Sequence, residues 1–183
     1  MTTTHIIVLF VALALFVWKL SAIAGRLDRV HIRRDQALTS LRLQLAWRTS
    51  SVAKLLTTKA LDPISATVLM NEISDVSAAA ELSLLQYMSA ESELTRSLCK
   101  VFEDSEDVAE IIDASPEIEP VLRDLAHACR RVELARRFHN DAVGAAQLLH
   151  KRKIVRYFRL AGYTELPATI DLDDTVPVGL ELL

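Results

Sequence analysis

The run Ile6 to Gly25, "IIVLFVALALFVWKLSAIAG", is 20 residues long and carries one charge, Lys19. As a helix it spans about 30 Å, the hydrocarbon thickness of a bilayer. A water-soluble core rarely needs such a segment at the extreme N-terminus, so the run predicts a membrane anchor. Trp18 and Lys19 lie toward one end, where an indole favours the interface and an ammonium can reach the headgroups. No Lys or Arg precedes the run, whereas Arg26, Arg29, Arg33 and Arg34 follow it. The positive-inside rule then sets the N-terminus outside and the rest of the chain in the cytoplasm. The alternative is a cleaved signal, since Ala22-Ile23-Ala24 has small-x-small spacing. That route would leave a processed extracytoplasmic bundle, and against it the leading "MTTTH" lacks the usual positive charge.

Behind the anchor, 183 residues leave room for one domain of common size. Four Gly, five Pro and 5% aromatic residues in a half-apolar chain disfavour a sheet and predict an all-α fold. No Pro or Gly occurs between Arg26 and Pro63, so the anchor helix should continue into a long solvent helix. Its stripe is Leu27, Val30, Ala37, Leu41, Leu45, Val52 and Leu55. Asp62 is placed to cap, and Pro63 to open, a second helix reaching Phe102, with Val68, Ile73, Val76, Ala80, Leu84, Met88, Leu94, Leu98 and Val101 on its core face and a kink expected at Ser89 to Glu93. An acidic connector follows, without the spacing or central Gly of a calcium loop. Ser115, Pro116 and Glu117 start a third helix with the stripe Ile118, Leu122, Leu125, Cys129, Val132, Ala135, Phe138, Ala142 and Leu149. The expected architecture is therefore an N-terminal transmembrane helix running into an antiparallel bundle of three main helices plus a short C-terminal segment. Its limits are 1–25 for the anchor, 26–162 for the bundle and 163–183 for an irregular, partly mobile tail.

Two stretches resemble a known family. In "DQALTSLRLQLAWRTSSVAKLL", residues Asp35, Ala37, Leu41, Gln44, Leu45, Arg48, Val52 and Leu55 are similar to the signature segment of LemA proteins. "ARRFHNDAV" resembles that family's Ala-Arg-Arg-Phe-Tyr-Asn-Asp-Ala-Val segment, with His139 in place of Tyr. Leu38 stands where the family usually has Trp, Ala53 where it often has Pro, and "QLLHKRKIVRYF" lacks its usual Phe-Pro, the pattern of a divergent member. The resemblance implies a bacterial, membrane-anchored helical bundle and assigns no catalytic residue.

The residues support the same reading. Arg136, Arg137, Asn140 and Asp141 lie close together on one helix, where Arg136 with Asn140 and Arg137 with Asp141 are four apart. We read them as a structural polar network fixing helix register, which Asp35 and Arg42 could extend. His139 and Asp141 are two apart, point to different sides and cannot act as base and orienter. Lys151, Arg152, Lys153, Arg156 and Arg159 form the densest basic segment, and with Tyr157 and Phe158 they are candidates for lipid-headgroup contact. Neither a zinc pattern around Cys99 and Cys129, nor HExxH, nor a Gly-rich phosphate loop is present. No metal, cofactor or catalytic residue is assigned, and the two thiols would pair only in an oxidising compartment. A net charge of -3 argues against nucleic acid as a partner. The expected function is that of an interaction or scaffolding module at the membrane, with the bilayer and an unidentified protein as partners and self-association open.

Overall fold

The computed structural model describes residues 2–158 and 167–183, and among these every regular element is helical. Helix α1 covers Thr2–Thr58, α2 Pro63–Ala80, α3 Leu84–Val101, α4 Ser105–Ala114, α5 Glu119–His150 and α6 Lys153–Tyr157, with single 3-10 turns at Pro116–Ile118 and Val178–Leu180. The apolar run and the solvent stripe are thus one helix, as the absence of Pro and Gly requires. Thr4–Thr58 contains a stretch long and apolar enough to cross a membrane, with mean hydropathy 2.6, and none of that stretch is buried by the rest of the chain.

Local chemistry sets the helix ends. Lys59, with φ 56°, stops α1 in the left-handed region. Asp62 then caps α2, its Oδ1 accepting from the backbone N–H of Ile64 at 2.9 Å and of Ser65 at 3.0 Å, with Pro63 in the first turn. The bonds from Ser65 hold the Asp62 carboxyl below its ordinary pKa.

The single helix expected from Ile64 to Phe102 is two, α2 and α3, separated at residues 81–83. The cause is Ser83, whose Oγ accepts from Gln86 N–H at 3.3 Å and donates to Gln86 Oε1 at 2.7 Å, a Ser-x-x-Gln cap in a chain that otherwise continues smoothly. The acidic stretch also folds: α4 buries Val108 and leaves its carboxylates outward, two of them, Glu106 and Asp107, in its first turn where the helix dipole favours them.

The chain forms two compact units. Unit 1 comprises Met1–Ala37 and Asn140–Thr169, and unit 2 comprises Leu38–His139 and Ile170–Leu183. The core of unit 1 is small: Leu27, Leu149 and Val155, with Ile23 and Val30 against them. Unit 2 holds the main core, in which Val52 and Leu55 of α1, Leu69 and Val76 of α2, Leu94 and Leu98 of α3, and Ile118, Leu122, Leu125 and Cys129 meet. A second cluster joins Leu41, Leu45, Met88, Val132 and Ala135 to Ile170 and Leu172 of the tail. Within unit 2, α1 and α5 run antiparallel: Lys54 pairs with Asp124, and Trp47 meets Arg131.

Three stripe positions differ from expectation by one residue. Phe138 is 67% exposed and its neighbour His139 only 3%, because the buried row steps through Val132, Ala135, His139 and Ala142. Likewise α2 buries Leu69 and Ala79, not Val68 and Ala80, and Leu84 at the start of α3 is exposed. The C-terminal tail is irregular from 167 to 177 yet packed. Ile170, Leu172 and Leu180 are buried, and Gly179 N–H donates to Phe102 O at 3.0 Å. This differs from the mobile tail expected from its prolines, since its apolar side chains find places in a core built by distant residues.

Candidate functional site

In unit 2 the stripe of α1, Leu41, Leu45, Val52 and Leu55, is interrupted by Arg48, and that of α3, Met88, Leu94 and Leu98, by Glu91. Helical spacing turns both charges into the core, where Arg48 is 1% and Glu91 0% exposed. Arg48 Nη2 donates to Glu91 Oε2 at 2.7 Å and to Glu91 O at 2.9 Å, while Nη1 donates to Thr95 Oγ1 at 2.8 Å. The Thr95 hydroxyl has the Asp173 carbonyl at 2.8 Å and the Glu91 carbonyl at 3.0 Å as alternative acceptors for its single proton. Asp173 N–H in turn donates to Ser92 Oγ at 3.1 Å. One buried ion pair thus ties α1 to α3 and, through Thr95, to the tail. Burial, reinforced by the Glu91 charge, pushes the half-buried Tyr87 phenol well above its ordinary pKa and keeps it neutral. Arg48 Nε and Glu91 Oε1 have no hydrogen-bond partner among the described residues.

The polar group in the middle of α5 is arranged otherwise than helical spacing predicts. Arg136 Nε donates to Asp174 Oδ2 of the tail at 2.6 Å, and this bond raises its pKa. Arg137 reaches back one turn to Glu133 instead of forward to Asp141, which is exposed. Asn140 is half-buried. Arg136 thus ties α5 to the tail, while Arg137 pairs locally along the helix. Cys99 and Cys129 are both free thiols, and burial raises the pKa of each. No group of three or more metal-ligating side chains occurs among the described residues.

In unit 1, Lys151 and Arg152 occupy the turn after α5 and Lys153 opens α6; all three are exposed. Arg156 lies in α6 with its side chain outside the described residues, as is the whole of Arg159. Phe158, the residue after α6, meets Phe16 in the apolar part of α1 edge to face, ring centroids 5.5 Å apart. Arg152 also lines a cleft of about 830 Å³ with Arg26, Arg29, Arg33 and Gln36 of α1 and apolar side chains that include Leu148 and Leu149. In the sequence these α1 arginines stand out as an orientation signal, and their spacing of three and four also sets them on one helical face. Nearby, His31 Nε2 and His150 Nε2 are 2.9 Å apart, so at least one of the two imidazoles is neutral. Burial, and then the charges of His31 and Arg34, lower the pKa of His150.

The surface of unit 2 carries one more notable group. Trp47 is 56% exposed with the Arg131 guanidinium 4.6 Å from its ring centroid, and Leu43, Leu134 and Phe138 are exposed one turn away along α1 and α5. Leu134 and Trp47 line a common cleft. In comparisons with known proteins, no family model, no curated protein and no solved structure matches this chain.

Proposed function

We propose that the protein is a divergent LemA-like interaction module, held by α1 in the plasma membrane of a bacterium with its helical bundle in the cytoplasm. Three sequence features support this reading: the two LemA-like segments, the single apolar run and the arginines that follow it. The observation that carries the interaction role is the exposed row of Leu43, Trp47, Leu134 and Phe138. Large apolar side chains held outward on two neighbouring helices have the composition of a protein interface, with the Trp47–Arg131 pair at one end of the row. The partner would be a protein presenting an apolar helix surface, and the anchor would raise its effective concentration at the membrane.

Photo-crosslinking in intact membranes from a reactive residue placed at Phe138 tests this. A discrete adduct is expected, and Trp47→Glu should reduce its yield at least tenfold. An adduct pattern indistinguishable from that of a probe at exposed Glu110, on α4, would contradict the interaction role.

A further inference from the structure

We propose that the arginine cleft of unit 1 is a binding site for the phosphate of an anionic phospholipid headgroup. The inference rests on the anchor reading of α1 and adds to it a defined ligand. Arg26, Arg29 and Arg33 follow the apolar run at spacings of three and four, so one face of α1 presents all three, and Arg152 joins them from the turn after α5. The lining contains no carboxylate, and none of these four arginines is in an ion pair among the described residues, whereas the adjacent Arg34 is bonded to Asp35 at 2.6 Å. Four unpaired guanidiniums around one cleft repel one another, and a phosphate diester relieves that repulsion while accepting bidentate hydrogen bonds. Leu148, Leu149, Val30 and Ile32 supply apolar surface for the glycerol and the first acyl carbons.

Depth along the membrane normal agrees. With the hydrocarbon boundary at Gly25, the 1.5 Å rise puts Arg26 and Arg29 within the headgroup layer, about 5–8 Å thick, and the Arg33 backbone about 12 Å from the boundary, past the layer by a gap of roughly 4–7 Å that an extended arginine side chain spans. Val155 clusters with Leu27 just outside that boundary and Phe158 meets Phe16 inside it, so Arg152 precedes a segment that returns toward the lipid. A free phosphate offers the same oxygen chemistry, but the cleft opens where phosphodiesters are concentrated and has apolar walls that inorganic phosphate does not use.

The test is native mass spectrometry of the full chain released from neutral detergent, with dioleoyl phosphatidylglycerol and dioleoyl phosphatidylcholine supplied in equal amounts. One phosphatidylglycerol adduct per chain is expected. Arg29→Gln and Arg152→Gln should each weaken it about fivefold, while Lys59→Gln, which removes one positive charge outside both the cleft and the basic segment, leaves it unchanged. These positions are exposed, and circular dichroism should confirm unaltered helicity. Equal adducts with both lipids, or equal loss from Lys59→Gln and Arg152→Gln, would overturn the site in favour of diffuse charge attraction. Displacement of the lipid by an equal concentration of inorganic phosphate would overturn the lipid as its ligand. Alkaline extraction of membranes separates the two levels: a chain that stays in the pellet yet shows no lipid preference sinks the cleft alone, and a chain released by alkali sinks the anchor with it.

Discussion

Arg48 and Glu91 are opposite charges at core positions of two helices, and neither has water to fall back on. Removing one partner strands the other, so Glu91→Ala should destabilise unit 2 by about 3–5 kcal/mol, measured by denaturant unfolding. Replacing both with apolar residues of similar volume, Arg48→Met with Glu91→Leu, should recover most of that loss, because it removes the desolvated charges together. A double variant as unstable as the sum of the two single ones would contradict the coupling. His150 gives a second residue-scale prediction. Its folded-state pKa lies below the ordinary 6.5, so in the window beneath that value the unfolded chain binds the proton first. Stability should therefore fall as pH drops from about 7.5 to about 5.5. Burial sets this first, and the charges of His31 and Arg34 of α1 add to it. In thermal melts, His150→Gln should flatten part of that slope; an unchanged slope would exclude His150 as its source.

At the scale of elements, the tail is joined to α4 at one close approach. A Cβ on Gly179 would lie 2.7 Å from Asp104 O and 2.9 Å from Phe102 O, both backbone atoms that cannot swing away. Gly179→Ala should accordingly destabilise by about 1–3 kcal/mol and expose Leu180, detectable as faster amide exchange in α4. Wild-type exchange there would show that the tail is not held by this contact. None of this was legible in "TVPVGLELL", since Leu180 is buried by residues some 70 to 80 positions earlier and no local period announces it. Other elements were legible for local reasons: α1 and α5 from their three-four stepping, and the start of α2 from Asp62 and Pro63. The break before α3 was readable in Ser83 and Gln86 but was masked by apolar residues that keep helical spacing on both sides. At Phe138 and His139 the pattern was ambiguous, because three-four stepping from Ala135 to Ala142 admits either residue, and hydrophobicity favoured the wrong one. The buried ion pair had a sequence signal too, a charge interrupting each of two apolar stripes, which only acquires meaning once both stripes are known to face each other.

For the whole molecule, a net charge of -3 conceals separation of charge along the chain. Arginines gather just after the apolar run and just after α5, while carboxylates crowd α4 and its flanks. Orientation in a membrane follows the first of these groups, since acidic residues contribute little to it. The account therefore stands on the sidedness of the bundle. Digestion of a C-terminal tag by added protease, compared between intact and lysed spheroplasts, measures it directly. The account predicts an uncut chain whose tag is protected until lysis, with Cys99 and Cys129 reduced; digestion in intact spheroplasts would move the bundle outside and contradict it.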